Sequence, residues 1–164
     1  MRKIALAVAS LAAVVATPAL AATATNTMPV SVNVINSCTV AATPMAFGAP
    51  TAIGGANVNS TSTISLVCTN GASYDVALDN GTHAQSSQRY MSNGAATPVT
   101  IPYNIYTDSA RTLPWGATSG TNTVSGTAGL SGAVSLTAYG QIPSSAASVG
   151  AGSYTDTVTV TVTF

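Results

Sequence analysis

Glutamate is absent from this 164-residue chain, Lys3 is its only lysine, and charged residues make up 5% of it, where an ordinary soluble domain carries about 25%. The cations are Arg2, Lys3, Arg89 and Arg111, the anions Asp75, Asp79, Asp108 and Asp156, and the formal net charge is zero. Contact with a phosphate backbone or an anionic lipid surface needs several Lys or Arg on one face. That supply is missing, so neither nucleic acid nor a charged membrane surface is expected as a partner. Lysine chemistry and paired general acid–base chemistry are almost without raw material. Apolar runs are short as well: none approaches the roughly 20 residues that span a bilayer, so no membrane span is expected.

The few reactive groups do not assemble into a familiar catalytic set. His83 is the only histidine; it lies in the polar stretch Asp79-Asn80-Gly81-Thr82-His83, and a Ser-His-Asp arrangement would need one of the four aspartates to orient it. A zinc site needs three or four His, Cys or carboxylate ligands, which His83 and scattered aspartates do not supply. Asp75 and Asp79 are a conceivable glycosidase pair but have no neighbour to raise one of them, and they read as solvated turn carboxylates. No glycine-rich phosphate loop ends in Lys-Ser/Thr, and Asn59-Ser60-Thr61 reads as a chance match to a glycosylation sequon. Arg89 and Arg111 read as structural arginines paired with aspartate. The six tyrosines and Trp115 fit either a sandwich core or a sugar-stacking platform, with core favoured. No catalytic residue, metal ligand or cofactor is expected.

What is present begins with an export signal. Arg2 and Lys3 precede an apolar run over residues 4–16, Pro18 breaks it, and Ala19-Leu20-Ala21 supplies the small residues of a cleavage site. Residues 1–21 are therefore expected to be a secretory signal peptide. The chain beyond it keeps two arginines and four aspartates, a net charge of −2. Export gives Cys38 and Cys68 a meaning: an even pair bound for an oxidising compartment points to a disulfide, the other reading being two buried thiols. Closing that loop would contribute roughly 3 to 4 kcal/mol in the chain-entropy account.

A period of two runs through the rest. Met28, Val30, Val32 and Val34 alternate with Pro29, Ser31 and Asn33, and Ile64, Leu66 and Cys68 alternate with Ser65 and Val67. Asn70-Gly71 then leads into Tyr74, Val76 and Leu78, the pattern of a β-hairpin. Further strands are expected over residues 101–106, 133–139 and 156–164, the last with Val158, Val160, Val162 and Phe164 alternating with threonine. Glycine- and hydroxyl-rich residues 48–62 and 116–132 read as long loops. Short strands between turn signals indicate an all-β sandwich. Residues 25–36 form strongly β-prone sequence behind a small, polar flank, consistent with either an internal strand or a free arm.

Short blocks follow one another along the chain: Ser37-Cys38-Thr39-Val40, Phe47-Gly48, Cys68 after Ile64-Ser65-Leu66-Val67, and Arg89-Tyr90-Met91. They continue with Ile101-Pro102-Tyr103-Asn104-Ile105-Tyr106-Thr107-Asp108, Ala110-Arg111-Thr112, Trp115-Gly116, Tyr139-Gly140-Gln141-Ile142-Pro143 and Gly152-Ser153-Tyr154-Thr155-Asp156 before the last strand. In this order they resemble the spore coat protein U domain family, which includes subunits of archaic, Csu-type chaperone–usher pili. The resemblance implies an incomplete immunoglobulin-like β-sandwich, residues 37–164, completed by donor-strand exchange. The donor strand would lie in residues 22–36, with Met28, Val30, Val32 and Val34 inserted into a neighbour. Val158, Val160, Val162 and Phe164 would border the groove that receives a donor. Pro29, which has no N–H for a ladder, departs from an ideal donor. The implied partners are identical or related pilin subunits, a periplasmic chaperone and an outer-membrane usher; the implied route is through the periplasm to a surface pilus supporting adhesion and biofilm formation. The alternative is a self-contained secreted coat or carbohydrate-binding β-sandwich.

Overall fold

Threonine, valine and isoleucine favour the pleated backbone because their branched side chains pack well on it, and they dominate the segments that become strands. The computed structural model describes residues 22–164; the expected signal peptide, residues 1–21, lies outside the described residues. Eight strands follow in order: β1 (Cys38–Ala42), β2 (Val58–Cys68), β3 (Ser73–Leu78), β4 (Arg89–Ser92), β5 (Thr100–Tyr106), β6 (Val124–Thr127), β7 (Ala133–Ile142) and β8 (Val160–Thr163). They form a five-stranded sheet in the order β1-β2-β7-β5-β4 and a three-stranded sheet in the order β6-β3-β8. Every ladder is antiparallel. The described residues contain no helix, and the architecture is that of an all-β, immunoglobulin-like sandwich.

The inward faces carry the core. Ile64 and Leu66 from β2, Val76 and Leu78 from β3, Ile101, Tyr103 and Ile105 from β5, and Ala138 and Ile142 from β7 are all buried. Trp115 joins them at 1% exposure, and its indole N–H donates to the Val76 carbonyl at 2.9 Å. Cys38 and Cys68 face each other in the β1–β2 register and are disulfide-bonded, so the outermost strand of the larger sheet is fastened to its neighbour.

Four sequence expectations are corrected. Asn70-Gly71 is a turn, with Gly71 at φ +76°, but it joins no hairpin. Both edges of β2 are taken, by β1 and β7, so the chain buries Ala72 and crosses to the other sheet. The last strand is short: β8 holds four residues, because before Val160 the chain keeps only spaced bonds to the continuation of β3, from the Asp79 N–H to Thr159 and from the Thr82 N–H to Thr157, and Thr155 bridges to Ser92 of β4. The two long loops are partly strand, since β2 already begins at Val58 and β6 lies at Val124–Thr127. Among the described residues neither Arg89 nor Arg111 pairs with an aspartate; Arg111 donates to the Gly140 and Ser109 carbonyls. Arg89 is buried and donates to the carbonyls of Leu78 at 3.3 Å, Asp79 at 2.6 Å and Trp115 at 2.9 Å, closing a gap between the sheets where backbone oxygens would lack partners.

The chain divides between Asn33 and Val34. On the N-terminal side the described residues, 22–33, contain no strand and are all exposed.

Candidate functional site

One flank of the sandwich is open. β1 is the outer strand of the larger sheet and β8 the outer strand of the smaller one. Between the continuation of β1, residues 42–47, and residues 154–160 lies a cleft of about 370 Å³. Its floor includes Ile64, Leu78, Tyr103, Ile105 and Ala138, the same side chains that form the core. A second cleft of about 690 Å³ continues past Met45, Phe47, Met91 and Tyr154, which line both, and is walled by residues 46–53 and 149–153. A trench thus runs along one flank of the sandwich, mainly apolar between residues 42–47 and 154–160 and mixed polar and apolar beyond them.

The side chains at its borders are positioned inward but incompletely covered. Val158, Val160 and Val162 pack on the core yet are only half-buried. Val40 stands opposite buried Leu66 in the β1–β2 register and is still 42% exposed. The backbone gives the same reading. The Asp79 N–H donates to the Thr159 carbonyl at 3.1 Å and the Thr82 N–H to Thr157 at 3.1 Å. By the alternation of antiparallel ladders, the odd-numbered residues of 157–163 address β3 and its continuation. The N–H and C=O groups of Val158, Val160 and Val162 address the open edge.

The trench wall is anchored at one end by Asp156. Its carboxylate is 2% exposed and accepts from the Thr82 N–H at 3.0 Å, the Thr82 hydroxyl at 2.8 Å, the His83 N–H at 3.2 Å and the Tyr103 hydroxyl at 2.7 Å. His83 Nδ1 stands 3.0 Å from the same carboxylate. Burial pushes this carboxyl up, and the bonds from Tyr103, Thr82 and His83 outweigh it and hold the group below its ordinary value. Burial and the bond to Asp156 together push the Tyr103 phenol up, so it stays a donor. Gly81, at φ +80°, lies against this carboxylate so closely that any side chain there would displace it. The His–Asp contact is therefore part of a scaffold that fixes residues 154–157 beside the trench. Among the described residues no group of three or more His, Cys, Asp or Glu is placed to hold a metal, and no helix is long and apolar enough to cross a membrane.

Met28, Val30, Val32 and Val34 are 83%, 85%, 87% and 73% exposed and belong to no strand. Phe164, the last residue of the β8 alternation, is 54% exposed. Asp75 and Asp79 are structural acceptors: Ser119 and Ser125 donate to Asp75, and the N–H groups of Gly81 and Thr159 donate to Asp79. The Ser119 bond is the main influence holding the Asp75 carboxyl below its ordinary value. Arg111 donates to the Gly140 carbonyl at 3.2 Å and lies over the Tyr139 ring. Sequence reasoning did not single out Met45, which seats on Gly140 of β7, or the scaffold around Asp156. The nearest signal to the latter was the question of which of the four aspartates could orient His83, a place that Asp156 takes.

The Spore Coat Protein U domain model matches residues 24–161, a span that includes the exposed alternation at 28–34. Protein U of Myxococcus xanthus is 31% identical over an alignment of 162 residues, covering 90% of this chain and 88% of that protein. Among solved structures, the CsuC–CsuE chaperone–tip adhesion subunit pre-assembly complex from the archaic chaperone–usher Csu pili of Acinetobacter baumannii is similar in fold. The TM-score is 0.55 and the identity 23%, over 80% of this chain and 40% of that one. The minor tip subunit of the E. coli Hda pilus, HdaB, is 12% identical with a TM-score of 0.42, over 76% of this chain and 79% of that one. The family is named for a coat protein and not for a catalysed reaction. By the extent of the family match and the identity to Protein U, this chain belongs to the Spore Coat Protein U domain family.

Proposed function

We propose that this protein is a structural subunit of a secreted surface pilus, polymerised by insertion of residues 28–34 into the trench of a neighbouring subunit. The observation that carries this reading is the coincidence, in one chain, of an open apolar trench with a free strand edge and an exposed alternating segment of strand-forming residues. An unpaired edge over exposed core side chains is an aggregation hazard. Chaperone–pilin donor-strand complementation is an established form of β-strand addition that removes it. Before assembly a periplasmic chaperone would cover the trench, and an outer-membrane usher would exchange that cover for the next subunit's strand; the resulting fibre would serve adhesion and biofilm formation. The similar Csu structure is itself a chaperone–subunit complex, which supports the chaperone as a partner.

Burial of Met28, Val30, Val32 and Val34 would contribute roughly 1.5 to 3 kcal/mol each, or roughly 6 to 12 kcal/mol before ordering costs. Val32→Asp would bury an unpaired carboxylate at a cost of several kcal/mol. It is expected to abolish fibres while exported, chaperone-bound subunit persists. Ser31→Asp, on the opposite face of the same strand, is expected to assemble. Immunoblots of periplasmic chaperone complex and sheared surface fibre read both variants. Normal fibres from the Val32→Asp chain would overturn the donor register, and loss of the protein from the periplasm would favour a self-contained coat protein in which this strand is internal.

A further inference from the structure

The larger cleft calls for an occupant that the four alternating residues 28–34 do not supply. It lies at the end of the sandwich opposite the disulfide: Ile142, one of its lining residues, pairs with Val58 at the far end of β2 from Cys68, about 30 Å along a strand of that length.

The disulfide end has its own unexplained feature. Leu130 is 91% exposed, the most exposed large hydrophobic residue among those described, and Ile35 is 72% exposed. Both flank the same turn. Gly132, two residues after Leu130, accepts from the Cys68 N–H at 2.9 Å, and the Ala128 carbonyl accepts from Gly71 at 3.0 Å. On the other side Thr69 donates its hydroxyl to the Ile35 carbonyl at 3.1 Å and its N–H to the Ser37 carbonyl at 2.8 Å. Residues 35–37 are thereby tied to the domain they lead into.

An inserted strand has two possible directions along β8. Antiparallel pairing has the better ladder geometry, and it carries the inserted strand from the disulfide end of the receiving subunit toward Tyr154, leaving Val34 where the larger cleft opens. Parallel insertion would press two disulfide ends together, the end from which each subunit's own residues 34–37 depart. With the antiparallel course, only Ile35, Asn36 and Ser37 separate the buried Val34 from Cys38, a reach of about 14 Å at full extension. The disulfide end of one subunit must then meet the larger cleft of the next.

We infer that Ile35 and Leu130 of each subunit seat in the larger cleft of its neighbour, against Pro50, Ile53, Val149 and Ala151, forming a second contact between copies of this chain. The contact rests on the strand-insertion reading above and adds to it a joint between subunits: the inserted strand holds the neighbours together, and the Leu130 contact sets the angle between them.

The test uses fibres of the full chain grown with photo-leucine and photo-methionine, near-isosteric replacements, irradiated and mapped by mass spectrometry. Crosslinks from Met28 to the neighbour's trench report strand insertion; crosslinks from Leu130 to residues 48–53 or 149–153 of the neighbour are the expected result for the joint. Met28 crosslinks with Leu130 linked elsewhere, or to nothing, overturn the joint and leave strand insertion standing. Absence of both, or absence of fibres, overturns the two together. As an independent measure, fibres of Leu130→Ser are expected to form but to dissociate several-fold faster in urea; an unchanged rate counts against the contact.

Discussion

Arg89 shows why a residue's chemistry is set by what surrounds it. A guanidinium has five N–H donors and no acceptor, and here it is spent on the carbonyls of Leu78, Asp79 and Trp115 where β3 ends. Replacing it with leucine leaves those oxygens buried without donors, each at about 1 to 3 kcal/mol. Arg89→Leu is therefore expected to lower the unfolding free energy by about 3 kcal/mol or more, measured by urea denaturation. Asp156 acts through the pH. Its folded value lies below its unfolded one, so its stabilisation is present above the unfolded value, about 4, and is lost as the pH falls through the folded value. Stability of the native chain is expected to decline as the medium is acidified below about pH 4. Asp156→Asn is expected to be less stable at neutral pH and to lose part of that acid limb, the remainder belonging to Asp75, Asp79 and Asp108, which are lowered as well. A pH series of urea midpoints checks both.

At the scale of the strand, the open edge of β8 carries a specific signature. The backbone N–H groups of Val158, Val160 and Val162 face no partner in the lone subunit, while those of Thr161 and Thr163 address β3. Residue-resolved hydrogen exchange is expected to find the three valine amides fast in unassembled subunit and protected in fibres, with Thr161 and Thr163 protected in both; fast valine amides in the fibre would refute an added strand. The strands themselves were legible in the sequence wherever an inward row was continuous, as in Ile64-x-Leu66-x-Cys68 and Ile101-x-Tyr103-x-Ile105. The alternation could not tell which sheet a strand joins. Asn70-Gly71 looks the same whether it closes a hairpin or carries the chain between sheets, because that depends on β1 and β7 already occupying both edges of β2. Nor could it show that regular pairing stops at Val160, with the segment before it held instead by the Thr155–Ser92 bridge and by the bonds of Thr82, His83 and Tyr103 to Asp156. The trench was legible only through the family resemblance, since an unfilled space leaves no mark on the period of the residues around it.

For the molecule as a whole, low charge and a hydroxyl-rich surface leave few groups for chemistry, and the largest unsatisfied feature is geometric: an immunoglobulin-like sandwich with a core open along one flank. The alternating segment 28–34, exposed in the same chain, has the apolar side chains and the period that such a flank lacks. The proposed assembly has two contacts between copies, the inserted strand and the Leu130 joint, and the second depends on the first. Cryo-electron microscopy of native fibres at side-chain resolution tests that dependence most directly. The account predicts density for Met28, Val30, Val32 and Val34 of one subunit between residues 42–47 and 154–160 of the next, running antiparallel to β8; a trench that is empty, or filled by residues of its own chain, would contradict it.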